Sequence, residues 1–173
     1  VNPSAVVKGM QNINLQLDAY QCTYKGDVYI DNLKLHESKT TSTEEVTGML
    51  WDFNDASKEL QGWKYDGAYD YDGTHDVSYD KDFTGSGSLK LDVDFTNNSG
   101  SGWSEVKIDN WINDGVNMGE YNTIKFNLYY NPANMTKGTF KSQFWVNSDI
   151  NKSADIDLAK SEYLGNGVSR VPV

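Results

Sequence analysis

Trp145 stands between Gln143 and Asn147 in an alternating stretch, Gly138-Thr139-Phe140-Lys141-Ser142-Gln143-Phe144-Trp145-Val146-Asn147. Successive side chains of a strand point to opposite faces. Lys141, Gln143, Trp145 and Asn147 therefore share one face, and Phe140, Ser142, Phe144 and Val146 share the other. The second set is a core face. The first joins a rigid flat ring to amide and ammonium groups, which is what gripping a sugar chain requires. An indole covers the apolar C–H face of a pyranose ring at little entropic cost, and the polar groups bond its hydroxyls. Ser101-Gly102-Trp103-Ser104-Glu105-Val106-Lys107 repeats the arrangement, with Trp103, Glu105 and Lys107 outward and Val106 and Ile108 inward. Trp63, after Gly62 at a loop, is a third candidate plate, and Gln16 lies on a similarly wet strand face. The competing reading of each ring is a second small core under a loop. Trp51 reads as core, and Trp111 as either packing or a groove wall.

Strand alternation positions these residues almost everywhere. Ile13, Leu15, Leu17 and Ala19 alternate with Asn14, Gln16 and Asp18. Leu89, Leu91, Val93 and Phe95 alternate with Lys90, Asp92 and Asp94, and Ile124, Phe126 and Leu128 with Lys125, Asn127 and Tyr129. Val28 and Ile30 begin a strand ending near Leu35, and Met49 to Phe53 is a short one. Gly, Asn and Asp fill the connections. The class is all-β, an antiparallel sandwich of jelly-roll type. His36 to Val46, with few apolar residues, reads as a flexible linker (residues 37–47) between a piece of 36 residues and the longer remainder. The first piece is too small to fold alone.

With 15 basic against 25 acidic residues the net charge is -10. Lys and Arg do not cluster, which argues against nucleic acid or an anionic membrane as partner. One cysteine, Cys22, leaves no intrachain disulfide, so stability must come from core packing, with a metal as a further means, rather than from bridges. The start at Val1-Asn2-Pro3 reads as a piece cut from something larger.

Gly26-Asp27-Val28-Tyr29-Ile30-Asp31-Asn32-Leu33-Lys34-Leu35 resembles the closing strand of jelly-roll carbohydrate-binding modules. Leu50-Trp51-Asp52-Phe53-Asn54-Asp55, followed by Gly62-Trp63, resembles their opening strand, and Gly85-Ser86-Gly87-Ser88-Leu89-Lys90-Leu91 the next. In these segments and its tryptophans the chain resembles the mannan-binding modules of bacterial endo-β-1,4-mannanases, family 27 among carbohydrate-binding modules. Here the closing strand precedes the opening one. Either the chain joins the tail of one tandem module to most of the next, or it is a circular permutant in which residues 1–36 complete the sandwich begun at residue 48. One folded unit, residues 1–173, is the favoured reading, as a monomer or completed by strand exchange with a second chain.

The resemblance implies a secreted bacterial module, appended to a glycoside hydrolase and holding plant cell-wall mannan, glucomannan or galactomannan through three tryptophans. Those correspond to Trp63, Trp103 and Trp145, flanked by Glu105, Lys107, Lys141, Gln143, Asn147 and Gln16. It also implies a structural Ca2+ clipping the first and last strands, on Asp31 with Asn54 or Asp52 and backbone oxygens around Gly85 to Ser88. The acidic run Asp66 to Asp82 does not fit the twelve-residue calcium loop. Soluble β-1,4-glucan and xyloglucan are alternative ligands, and a small glycan-active enzyme or an adhesion domain is an alternative function. His36, His75 and Cys22 form no catalytic motif. Glu105 with Glu120 or Asp109 could be drawn as a carboxylate pair, but 25 acidic residues make such pairs cheap. No catalysis is expected.

Overall fold

The computed structural model describes residues 11–38, 45–55, 58, 60–81, 83, 86–97, 101–112, 123–146 and 150–173. The described residues form twelve strands: β1 (Gln11–Tyr20), β2 (Lys25–Ser38), β3 (Glu45–Trp51), β4 (Lys64–Tyr69), β5 (Ser78–Asp80) and β6 (Ser88–Asp94), then β7 (Trp103–Ile112), β8 (Thr123–Tyr130), β9 (Thr139–Val146), β10 (Ile150–Asp155), β11 (Glu162–Gly165) and β12 (Val168–Pro172). All pairings are antiparallel. One sheet runs β10-β9-β1-β7-β4, the other β11-β12-β8-β2-β6-β5, with β3 also on β2. Residues 11–38 thus supply a strand to the interior of each sheet.

The inward rows of both sheets join in one hydrophobic cluster, as in a β-sandwich. Ile13, Leu15, Leu17 and Ala19 of β1 meet Val28, Ile30, Leu89, Leu91 and Phe126 from the second sheet in it. Phe140, Ser142, Phe144 and Val146 of β9 are buried, as the alternation requires.

β2 changes phase midway. Val28 and Ile30 are buried, then Leu33 and Leu35, so the buried parity shifts by one between them. Asn32 takes φ 51 at that point, and the register against β8 shifts between Asp31 and Lys34. Asn tolerates this left-handed conformation, and one extra residue restores the inward face after the bulge. The strand also changes neighbours there: residues 25–30 pair with β6, and residues 33–38 pair with β3.

The expected linker is partly strand. His36 pairs with Thr47, Glu37 with Val46 and Ser38 with Glu45. Pairing with the adjacent strand carries this polar segment, and the His36 side chain itself is buried; positions 39–44 lie outside the described residues.

Two close approaches lock the fold near β3 and β9. A Cβ on Gly87 would lie 1.6 Å from the Phe53 carbonyl oxygen, and one on Gly138 would lie 2.3 Å from the Cys22 Cα. Only a residue without a side chain fits either place.

Candidate functional site

The outward face of the β10-β9-β1-β7-β4 sheet gathers most of the expected site. Register fixes its rows. Asp18 on β1 lies between Lys141 on β9 and Glu105 on β7, and Gln16 lies between Gln143 and Lys107. Asn14 lies between Trp145 and Asp109, and Tyr20 pairs with Trp103. Alternation put Gln16 on a wet strand face; the topology puts it at the centre of this one.

A hydrogen-bond network joining Gln16, Asp18, Gln143, Glu105 and Lys107 makes the floor, with a separate Lys141–Asp155 pair beside it. The Gln16 amide donates to Asp18 and to Glu105 Oε2, the latter at 2.8 Å. Gln143 Nε2 donates to Asp18 Oδ2 at 2.7 Å. Lys107 Nζ holds Glu105 Oε1 at 2.8 Å, and Lys141 Nζ lies 3.0 Å from Asp155. Gln16 and Asp18 are 3% and 2% exposed, deep for a sheet's polar face, because long neighbours on both flanking strands close over them. Burial pushes the Asp18 carboxyl above its usual range, aided by the Glu105 charge and opposed by hydrogen bonds from Gln16 and Gln143. With both Nε2 hydrogens committed, the Gln16 amide cannot rotate.

Aromatic rings flank this floor. Trp103 is half-buried, 4.7 Å from the Tyr20 ring, with the Lys141 ammonium 5.3 Å from its own ring centre. Trp145, also half-buried, stands across Asn14 on the far side of β1. Tyr20 and Asn14, the positions they flank, are six residues apart, roughly 20 Å along a strand at ~3.4 Å per residue. The two rings therefore lie on a diagonal across the face. Trp111 is 48% exposed opposite Asn12, its Nε1 donating to Asp109 Oδ2 at 3.1 Å. It stands on the surface at the Trp145 end.

Trp63 is a correction. It is 1% exposed and packs edge-on against Trp51, ring centres 5.5 Å apart, so no sugar reaches it. A loop position after glycine suggested exposure, but the loop folds the ring under the sheet. Asn147 lies outside the described residues.

Sequence reasoning missed several residues of this face. Asn12, Asn14 and Asp18 share the outward row with Gln16, and the same alternation would have found them. Asp66 could not have been found so. The register of β4 against β7 shifts between Tyr65, opposite Ile108, and Gly67, opposite Lys107. Asp66 is the extra residue of that bulge, and its Oδ2 accepts from Asn14 Nδ2 at 2.6 Å, across the intervening strand. With Asn12, Asn14, Gln16, Lys107 and Trp145 it lines an open depression of about 250 Å³.

Of the expected calcium residues, Asp31 lies on β2 of the other sheet, and Asp52 and Asn54 follow the end of β3. Asp31 is buried and accepts from Asn32 N at 2.6 Å and Ser86 Oγ at 3.2 Å. Burial raises its carboxyl above the ordinary range, with a smaller push from the Asp52 charge. Asp52 accepts from Asn54 N at 3.2 Å and Gln61 Nε2 at 3.3 Å, and its carboxyl is held below that range by the Asn54 N–H first. No group of three or more His, Cys, Asp or Glu side chains that could hold a metal gathers among the described residues. No helix there is long and apolar enough to cross a membrane. Comparison with protein-family models, curated proteins and solved structures gives no significant match.

Proposed function

We propose that the chain is a noncatalytic polysaccharide-binding module of jelly-roll type, working beside a glycoside hydrolase outside the cell. Its ligand is a soluble β-1,4-linked glycan, mannan or its glucose- and galactose-bearing forms first, β-glucan or xyloglucan second. One observation carries the reading. The interlocked Gln16, Asp18, Gln143, Glu105 and Lys107 form a rigid polar floor, with Trp103 and Trp145 flanking it on a diagonal. A fixed set of donors and acceptors between spaced indoles suits an extended chain of hydroxylated rings, because little ordering cost is left for binding. The mannan preference rests on the family resemblance alone.

Affinity electrophoresis against glucomannan, galactomannan, xylan, xyloglucan and barley β-glucan tests this directly. Retardation by the mannans is expected, and Trp145→Ala weakens it by at least about tenfold, as loss of an aromatic anchor does. Retardation by β-glucan or xyloglucan alone would replace the mannan assignment. No retardation by any polymer would remove the reading.

A structural Ca2+ belongs to the same proposal. Asp31 would hold it with Asn54 or Asp52, the ion offsetting the burial that now raises the Asp31 carboxyl. A hard cation takes ~6–8 oxygen ligands, so Asp31 and Asp52 would exchange their present donors, Asn32, Ser86, Asn54 and Gln61, for the ion. Calcium at a hundredfold excess over its Kd adds about 2.7 kcal/mol. That raises Tm by about 5–10 °C for a chain this size. Differential scanning calorimetry in EDTA and in CaCl2 measures it; equal Tm values would exclude the ion.

A further inference from the structure

Asn14 is 8% exposed, and its two amide atoms differ in fate. Nδ2 donates to Asp66 Oδ2 at 2.6 Å, while Oδ1 is buried with no hydrogen-bond partner. Rotating the amide would set its oxygen against the Asp66 carboxylate, so the orientation is fixed. A buried acceptor left without a donor costs free energy until something supplies one. Asn14 lines the depression of about 250 Å³ beside Trp145. That size is below the ~300–1,000 Å³ of pockets for drug-sized ligands. It suits one sugar ring rather than several.

The charge around the depression narrows the ligand. Asp66 is aimed there by the β4 bulge, a common device for redirecting a side chain beside a site. Of the lining residues only Lys107 is cationic, and its ammonium is held by Glu105 at 2.8 Å. Asp109, opposite Asn14, has a buried Oδ1 with no hydrogen bond, the Lys64 ammonium standing 3.8 Å away. Acceptors exceed available donors, and a second negative charge would meet Asp66 first. The matching ligand brings hydroxyl donors, no anionic group and an apolar ring face.

From this geometry we propose that the depression is the subsite for one neutral pyranose unit. The unit donates a hydroxyl to Asn14 Oδ1 and lies beside Trp145, and Asp66 turns away uronate-bearing chains. This rests on the glycan-binding reading of the face and adds its anchor point and its charge selectivity.

The experiment titrates the full 15N-labelled chain with mannohexaose, cellohexaose and polygalacturonate. It follows the side-chain amide of Asn14 and the indole N–H of each tryptophan. Expected are shifts at Asn14 and Trp145 with a neutral hexasaccharide, none with polygalacturonate, and affinity lowered by about tenfold in Asn14→Leu, the loss of one net hydrogen bond at the upper end. The amide shift in the unaltered chain stands independently of whether that variant folds. Neutral-sugar shifts around Trp103 and Lys141 with Asn14 unmoved would overturn the subsite and leave the binding face standing. Polygalacturonate binding as tight as the neutral sugars would overturn the charge selectivity. Silence toward all three would overturn the glycan reading, and this proposal with it.

Discussion

Trp63→Ala is expected to lower the free energy of unfolding by about 3–5 kcal/mol, the usual cost of removing a buried aromatic ring. The ring is 1% exposed and meets Trp51 edge-on, so its loss leaves a cavity between two tryptophan-bearing segments. Urea denaturation followed by Trp fluorescence measures it. Trp63→Phe should cost clearly less than Trp63→Ala. The indole N–H is buried without an acceptor, and phenylalanine removes that orphan while filling most of the space. Trp145→Ala should behave in the opposite sense, with the transition little moved and glycan retardation lost. If Trp63→Ala unfolds at the same urea concentration as the unaltered chain, the ring is not a core residue.

The second large effect is electrostatic. Asp18 has its carboxyl raised by burial, so the folded chain holds this proton to higher pH than the unfolded chain does. Where the folded state binds more protons, stability falls as pH rises. The loss therefore begins near the ordinary carboxylate range and is complete above the raised value. Glu105 and Lys107 on β7 and Lys141 on β9 face the group, and Glu105 adds to the rise. Asp31, raised mainly by burial, contributes with the same sign, and Asp52, lowered, with the opposite sign. Asp18→Asn isolates one group. Relative to the unaltered chain, the variant should gain stability progressively as pH rises through that window. It should also bind glycan less well, because Gln143 must turn its oxygen toward the new amide. Thermal unfolding from acid to neutral pH checks the first point. A constant difference between the two chains at every pH would show that Asp18 does not titrate as described.

Alternation alone made much of this face legible. In β9 and β7 it divided inward from outward residues correctly, because one buried row per strand leaves a period of two in the sequence. It failed where the backbone departs from that period. At β2 the phase shift around Asn32 hides behind an unbroken strand, and at β4 the bulge at Asp66 reads as part of an acidic loop. Trp63 failed differently. Its burial depends on where a loop packs, and local pattern carries no such information. The residues around His36 failed through polarity, since a strand held by its ladder needs no apolar side chains. The central position of Gln16 is a fact of strand order, which periodicity does not encode.

That strand order also sets a timetable. β1 ends up between β7 and β9, with Gln11 opposite Ile112 and Ile13 opposite Val146. Its partners leave the ribosome long after it does, so the early segment waits without a sheet to join. Pairings this distant in sequence close slowly. Meanwhile the alternating Ile13, Leu15 and Leu17 present an unpaired, half-apolar edge to any other nascent chain. Folding yield should therefore depend on protein concentration and on holding chaperones more than on final stability, and deleting the segment through Val146 would strand β1 with a single neighbour.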